Sequence, residues 1–157
     1  MVQKASSVVW AGAAATHMKR LERVQHNFLI WLASRSNNPS NDLRYEHLLA
    51  HFKVPSIKSR ILQHDLTFLF KIFHGQIDCP ELVSLFPLSA PCRRSRSSRL
   101  WHIPFARVNT VKNSMYHRIP LSCNALLASN SSTDFFTSPM ASFKSAAISF
   151  GQASGVF

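Results

Sequence analysis

The side chains that could carry catalysis are few and scattered along the chain. Among 157 residues there are seven carboxylates and four glycines, which is little material for acid–base catalysis, a carboxylate metal cage or a glycine-rich phosphate loop. A centre that holds two metal ions needs clustered acidic side chains. The four aspartates, Asp42, Asp65, Asp78 and Asp134, include no adjacent pair. We therefore predict that this chain is not an enzyme and has no catalytic residue.

Histidines and cysteines are the other possible reactive groups. His47 and His51 lie four residues apart, a helical spacing that can place two imidazoles on one metal ion. No third ligand lies at motif spacing, so we interpret both as surface histidines. Cys79, Cys92 and Cys123 are widely spaced and form no C-x-x-C motif, which argues against a zinc knuckle and a disulfide framework. The sequence thus predicts no metal and no cofactor, with small buried thiols instead.

Positive charge is the strongest chemical signal in the sequence. The chain has 18 lysines and arginines against seven acidic residues, a net charge of +11. Such a surplus is typical of proteins that bind polyanions. Residues 93–118 contain seven of the positive charges and no carboxylate, and residues 87–99 (PLSAPCRRSRSSR) are rich in arginine and serine. A polyanion or an acidic surface is therefore the expected partner.

The basic stretch has the side chains that such binding requires. Arginine donates paired hydrogen bonds that fit phosphate oxygens, and Trp101 and Phe105 could stack on unpaired bases. The alternative is a solvated Arg/Ser loop whose aromatic side chains are buried in the core. The candidate residues for binding RNA or DNA are Arg93, Arg94, Arg96, Arg99, Trp101, Arg107, Lys112 and Arg118.

Apolar residues recur at three- and four-residue spacing in the first half of the chain, which predicts amphipathic helices. The predicted helices cover residues 17–33, 42–52 and 57–74, and a short helical turn opens at Pro80 and ends at Leu85. The second helix is short and needs support from the rest of the fold.

Specific residues mark the ends and the faces of these helices. Thr16 and Ser56 are predicted N-caps, and Gly75 is the predicted left-handed stop of the third helix. Asp65 falls within the apolar stripe of that helix. Because a buried carboxylate is costly unless paired, we expect a basic partner or a helix-end amide. The aromatic side chains predicted to pack in the core are Phe28, Trp31, Phe68, Phe70 and Phe73.

The second half of the chain has weaker signals. Residues 100–105 (LWHIPF) fit a short strand, which Pro104 restricts to a sheet edge. Residues 113–128 predict a turn followed by a weak helix. After a Ser/Asn loop, Ser138-Pro139 introduces a last amphipathic helix to about residue 150.

These elements predict a mainly α-helical fold. We expect a small bundle of three to five helices, then an irregular basic Arg/Ser-rich segment, then a final amphipathic helix. We divide the chain into a disordered lead-in (1–16), a helical region (17–86), a basic and partly irregular region (87–128), and a loop, terminal helix and tail (129–157).

The sequence also bears on the location of the protein. Residues 1–16 faintly resemble a signal peptide, but their apolar core is short, so we do not expect secretion. No stretch approaches the ~18–20 apolar residues of a membrane helix. We expect an intracellular protein, nuclear or cytoplasmic, that has no contact with a membrane.

Several phrases of sequence occur in an informative order. The first is Val9-Trp10, followed by LERVQ at 21–25. The second is VPSI at 54–57, followed by Arg60, Asp65-Leu66 and FKIFHG at 70–75.

The third phrase is IPFAR at 103–107, followed by Asn113-Ser114, Arg118 and NAL at 124–126, and Phe143-Lys144 comes last. Together, over residues 8–150, these phrases resemble the region that follows the reverse transcriptase domain in polyproteins of non-LTR (LINE-type) retrotransposons. The chain departs from that pattern at Cys123, where the family has an aromatic residue, and in lacking the Leu-Pro that follows.

The resemblance implies a function without catalysis. The polymerase and nuclease of such an element would lie upstream of Met1, and this chain would be a C-terminal fragment that helps to hold template RNA or target DNA through residues 93–118. Its other implied partner is the upstream reverse transcriptase domain. The alternative is a helical protein-interaction module, in which the faces of the first and third helices dock on the polymerase or another chain. A small secreted or metal-dependent enzyme is the remaining alternative.

Overall fold

The computed structural model describes residues 15–36, 43–89, 99–130 and 133–153. The regular structure within these ranges is helical, which confirms the predicted mainly α-helical class. The predicted lead-in falls largely outside the described residues, as do residues 154–157 of the tail. The helices are α1 (Ala15–Arg35), α2 (Tyr45–His51), α3 (Ile57–Phe73), α4 (Pro80–Ser84), α5 (Asn109–Lys112), α6 (Met115–Ser129) and α7 (Met140–Ala153).

Helix α3 is the centre of the fold, and the sequence marks both of its ends. The Oγ of Ser56 accepts a hydrogen bond from the backbone N–H of Ser59 at 3.2 Å, so Ser56 is the predicted N-cap. Gly75, with φ of +65°, takes the left-handed conformation just after the helix, where a side chain would be strained. Local signals therefore determine this helix almost to the residue.

The main hydrophobic core lies where α3 packs against α6 and α7. Phe70 of α3 stacks on Phe143 of α7 with ring centroids 4.7 Å apart, and Phe135 meets both rings edge-on. Gly151 lets α7 approach α3 closely, because a Cβ at that position would lie 2.6 Å from the Oγ of Ser59. Phe143 and Ala147 are buried on the side of α7 that faces α3, as expected for the amphipathic last helix.

Helices α1 and α2 form a smaller, second cluster. Its buried members are Leu29 and Ala33 of α1 and Leu48 of α2. The Tyr45 hydroxyl donates to Gln25 Oε1 at 3.0 Å, and Gln25 Nε2 donates to the backbone oxygen of Pro55 at 3.1 Å. These two hydrogen bonds connect α1 to α2 and to the segment that leads into α3.

Two helix starts differ from the prediction. Helix α1 already includes Ala15, so Thr16 lies inside the helix and is not its N-cap. Helix α2 begins at Tyr45, three residues after the predicted start at residue 42, and the preceding Leu43 is exposed. Helix ends fray, so their bounds commonly shift by one or two residues.

The packing prediction is wrong for two aromatic residues of α1. Phe28 and Trp31 are exposed, whereas Phe70 is buried and Phe68 and Phe73 are partly buried against the core. Leu29 and Ala33 are the residues of α1 that face inward, because they lie on the side of the helix that meets α2. Helix α1 therefore has a second apolar stripe, which faces solvent.

Helix α6 is interrupted in its hydrogen bonding by Pro120, which is buried within it. Proline cannot donate the backbone hydrogen bond of a helix interior, which fits the weak helix predicted there. None of the helices in the described part of the chain combines the length and the apolar character of a membrane-spanning segment.

Candidate nucleic-acid interface

The basic segment that the structure describes, residues 99–112, begins with one antiparallel bridge between Leu88 and Trp101. The backbone N–H of Ser89 donates to the oxygen of Leu100 at 2.9 Å, and that of His102 donates to the oxygen of Pro87 at 3.0 Å. The predicted edge strand over 100–105 is not formed beyond this bridge. The chain continues without regular structure to α5.

Trp101 fixes the start of the basic segment to the core. Its side chain is 1% exposed and meets the rings of Phe73 and Phe135 edge-on, with centroids 4.6 and 5.1 Å away. Trp101 therefore has no free face for a base, and its predicted role in base stacking is wrong for this fold. The alternative raised from the sequence, an aromatic side chain held in the core, describes Trp101 correctly.

Asn124 of α6 holds the backbone of Trp101 through both of its polar groups. Its Oδ1 accepts from the Trp101 backbone N–H at 3.0 Å, and its Nδ2 donates to the Trp101 backbone oxygen at 2.9 Å. This is the pairing that a neighbouring strand would otherwise provide. Sequence reasoning missed this role of Asn124, since nothing in a single helical asparagine indicates its partner.

The exposed part of the basic segment lies beyond Trp101. Phe105 is 86% exposed, and Arg99, Arg107 and Lys112 are exposed on either side of it. None of these three cations forms an ion pair with any residue that the structure describes. An exposed aromatic ring is thus flanked in the sequence by three exposed cations.

Arg118 is engaged in the interior of the fold. Its Nε and Nη2 donate to the two carboxylate oxygens of Asp65 at 2.7 and 3.2 Å, and its Nη1 donates to the backbone oxygen of Asn113 at 2.6 Å. The expected basic partner of Asp65 is thereby confirmed. The role of Arg118 in phosphate binding is corrected, because its guanidinium is held by groups of the chain itself.

The Asp65–Arg118 pair is largely removed from water. The side chain of Asp65 is 1% exposed and that of Arg118 is 20% exposed. Burial raises the pKa of the Asp65 carboxyl, and the hydrogen bonds and charge of Arg118 lower it only in part, so that the pKa stays above its usual value. Asp65 is therefore a structural group that depends on Arg118 for its charge.

Three further predicted residues lie outside the part of the chain that the structure describes. Arg93, Arg94 and Arg96 belong to residues 90–98, which lie outside the described residues. Of the predicted binding residues that the structure describes, Arg99, Arg107 and Lys112 are exposed, whereas Trp101 is buried and Arg118 is paired with Asp65. His47 and His51 are exposed on α2, and the described residues contain no cluster of metal-ligating side chains.

A cleft of about 1240 Å³ lies between the α1–α2 pair and helices α3 and α6. Lys53, Lys58, Lys112 and Arg118 contribute positive charge to its lining, and Glu22, Glu46 and Asp65 contribute negative charge. Apolar and uncharged polar residues form the remaining walls. Mixed charge of this kind gives the cleft no strong preference for an anion or a cation.

Cys123 is completely buried in the core, and burial raises the pKa of its thiol to about 12. The indole Nε1–H of Trp101 interacts weakly with its sulfur, in a geometry short of a regular hydrogen bond, and this lowers the pKa only in part. Because the thiolate is the nucleophilic form, this cysteine is unreactive in the folded chain.

The raised pKa predicts a loss of stability at alkaline pH. The thiol of the unfolded chain ionises near pH ~8.5, whereas the folded thiol stays protonated to about pH 12. Above pH ~8.5 the unfolded state thus binds fewer protons, and Cys123 should lower the free energy of unfolding by up to ~1.4 kcal/mol per pH unit. Denaturant titrations from about pH 8 to 9, where tyrosines with a pKa of ~10 stay largely protonated, measure this slope.

Two cysteine variants test the assignment of that slope. The Cys123→Ala variant should lose it, whatever its stability at neutral pH. The Cys79→Ser variant should retain it, because Cys79 is only partly buried. An unchanged alkaline slope in Cys123→Ala would show that another group is responsible.

Comparison of the chain with protein families, curated proteins and solved structures finds no match.

Proposed function

We propose that this chain is a non-catalytic nucleic-acid-binding part of a non-LTR retrotransposon polyprotein, which holds single-stranded RNA or DNA through its basic segment. The observation that supports this proposal most directly is the exposure of Phe105. Its side chain is 86% exposed, and exposed arginine and lysine residues flank it in the sequence. A single exposed apolar ring is common on protein surfaces, and the feature that distinguishes Phe105 is its position in the sequence between exposed cations. Its exposure here fits a surface that is covered when a base stacks on it.

The surrounding charges support the same function. Arg99, Arg107 and Lys112 provide three exposed cations within residues 99–112, and residues 93–118 contain no carboxylate. Cations of this kind bind phosphates and release condensed counterions. The net charge of +11 would attract a polyanion to the whole chain.

The anchoring of the segment supports binding in a defined orientation. Trp101 and Asn124 fix the chain at one end of the exposed stretch, and α5 and α6 follow at the other. A segment held at both ends loses less conformational entropy on binding than a free tail would. The proposal therefore places the stacking contact at Phe105 and the phosphate contacts at its three neighbouring cations.

Binding of a labelled oligouridine of about 15 nucleotides, measured by fluorescence anisotropy, tests this function. Three phosphate contacts on a single strand predict a slope of about −2 for the logarithm of affinity against that of salt, or a ~20-fold loss between about 50 and 200 mM salt. An oligodeoxyribonucleotide of the same length shows whether DNA is preferred. Affinity that does not change with salt would contradict the proposal.

Single substitutions separate the contribution of base stacking to the affinity from the contribution of positive charge. Phe105→Ala should weaken binding by roughly tenfold or more without changing the salt slope, since it removes one stacked base. Arg107→Ala should reduce the magnitude of the slope by ~0.7. Lys144→Ala, which removes an exposed lysine of α7, is the charge-matched control and should behave like the natural chain. Equal losses in Lys144→Ala and Arg107→Ala would indicate attraction to net charge without a defined site.

A further inference from the structure

The exposed stripe of α1 has a regular spacing. Leu21, Val24, Phe28 and Trp31 follow one another at intervals of three, four and three residues, so they lie along one line of the helix surface. Between 49 and 68% of each residue is exposed. The stripe is about 15 Å long, because ten helical steps separate its ends.

The stripe lies apart from the contacts that hold α1 in the fold. The buried side chains Leu29 and Ala33 lie on the opposite side of the helix, toward α2. Phe28 and Trp31 stack on each other with centroids 5.8 Å apart, and the guanidinium of Arg35 lies 4.9 Å from the Trp31 ring. A single exposed apolar residue needs no explanation, but an ordered row of four indicates a binding surface.

The charges around the stripe are of one sign. On the helix surface, Arg20 borders the stripe beside Val24, Arg23 lies one row further round the helix, and Arg35 continues the line of the stripe at the C-terminal end. The acidic residue of α1, Glu22, is partly buried and lines the cleft on the other side. The surroundings of the stripe are therefore cationic.

We propose that this stripe of α1 binds an amphipathic helix of another protein whose apolar face is bordered by aspartates and glutamates. Two helices that pack side by side bury apolar rows at three- and four-residue spacing. Charged residues that flank these rows determine which partner binds, because opposite charges attract and like charges repel. A second copy of the chain fits poorly, since symmetric pairing would bring the same arginines together. Nucleic acid fits less well than protein, because Leu21 and Val24 have no ring on which a base could stack.

Binding to designed peptides tests the proposal on the full chain. The probe is a labelled amphipathic peptide of about 20 residues, long enough to form a helix, with leucine on its apolar face and glutamate at the borders. The control peptide has lysine in place of glutamate. The glutamate peptide should bind at least ~10-fold more tightly than the lysine peptide, and salt should reduce this difference.

Variants of the protein locate the binding surface. Phe28→Ala and Trp31→Ala should each weaken binding on the order of tenfold, whereas Ile148→Ala, which removes an exposed apolar residue of α7, should not. The double variant Arg20→Glu/Arg23→Glu should reverse the preference and bind the lysine peptide more tightly. All these side chains are exposed, so the variants should keep the fold.

Three results would overturn the proposal. The first is equal or undetectable binding of the two peptides. The second is a concentration-dependent dimer in sedimentation that Phe28→Ala abolishes, which would assign the stripe to a second copy. The third is that the natural chain binds neither peptide and that Trp31→Ala weakens oligouridine binding. This result would assign the stripe to nucleic acid. Since the stripe and residues 99–112 share no side chain, failure of either proposal leaves the other intact.

Discussion

Replacing Arg118 by methionine is expected to lower the free energy of unfolding by about 3–5 kcal/mol. The change leaves the Asp65 carboxylate, 1% exposed, without the two hydrogen bonds that it accepts from the guanidinium. A buried charge that loses its partner bears the cost of desolvation without compensation. Urea denaturation at neutral pH, followed by far-ultraviolet circular dichroism, measures the loss.

Replacing Asp65 while Arg118 is kept should lower the free energy of unfolding by less. In Asp65→Asn the arginine keeps its hydrogen bond to the backbone oxygen of Asn113, and its side chain, 20% exposed, still reaches the cleft. We expect a loss of about 1–2 kcal/mol for this variant. Arg118→Met in the Asp65→Asn background should then cost much less than Arg118→Met alone, because no buried charge remains. Equal costs in the two single variants would show that the carboxylate is not the group in need of compensation.

The pH dependence of Arg118→Met has a definite sign. Burial already raises the pKa of Asp65 in the natural chain, and loss of Arg118 raises it further. The unfolded carboxyl ionises near pH ~3.9, so between that pH and the raised folded value the folded state holds more protons than the unfolded state. Stability of the variant therefore falls as pH rises through this window, and its deficit should be smaller at pH ~4 than at pH ~7. A deficit independent of pH would point to lost packing of the arginine stem.

The elements predicted most accurately are those with local signals. Residues of α3 carry their own cap, apolar stripe and stop, so its bounds follow from Ser56, the 3.6-residue period and Gly75. The need of Asp65 for a basic partner also follows from sequence, since it depends on burial alone. The identity of that partner does not, because Arg118 is 53 residues away and reaches Asp65 only through the packing of α6 on α3.

The candidate site was predictable as a charged region but not in its individual contacts. Trp101 and Phe105 are both aromatic residues that lie between cations in the sequence. No neighbouring residue indicates which of the two side chains is buried. Contacts with Phe73 and Phe135 and the amide of Asn124 decide that Trp101 is the buried one. Helix α1 presents the same difficulty, because two apolar stripes with similar spacing compete and the position of α2 determines which one is covered.

Because Trp101 is buried and Phe105 is exposed, replacing each by alanine should change the stability of the protein by very different amounts. Trp101→Ala is expected to lower the free energy of unfolding by about 3–5 kcal/mol, since it removes a fully buried ring from the main core. Phe105→Ala should stay within about 0.5 kcal/mol of the natural chain, because that ring is 86% exposed. Urea denaturation of both variants measures the contrast.

A conservative variant separates stability from binding. Trp101→Phe keeps an apolar ring in the core and the backbone hydrogen bonds to Asn124, so the protein should remain folded with a smaller loss of stability. Its affinity for oligouridine should match that of the natural chain, whereas Phe105→Ala should bind more weakly at nearly full stability. If folded Trp101→Phe lost as much affinity as Phe105→Ala, the indole would contact the bases and the division between anchor and stacking residue would be wrong. If Trp101→Ala cost no more stability than Phe105→Ala, the ring would not belong to the core, and the basic segment would lack the anchor that fixes its position.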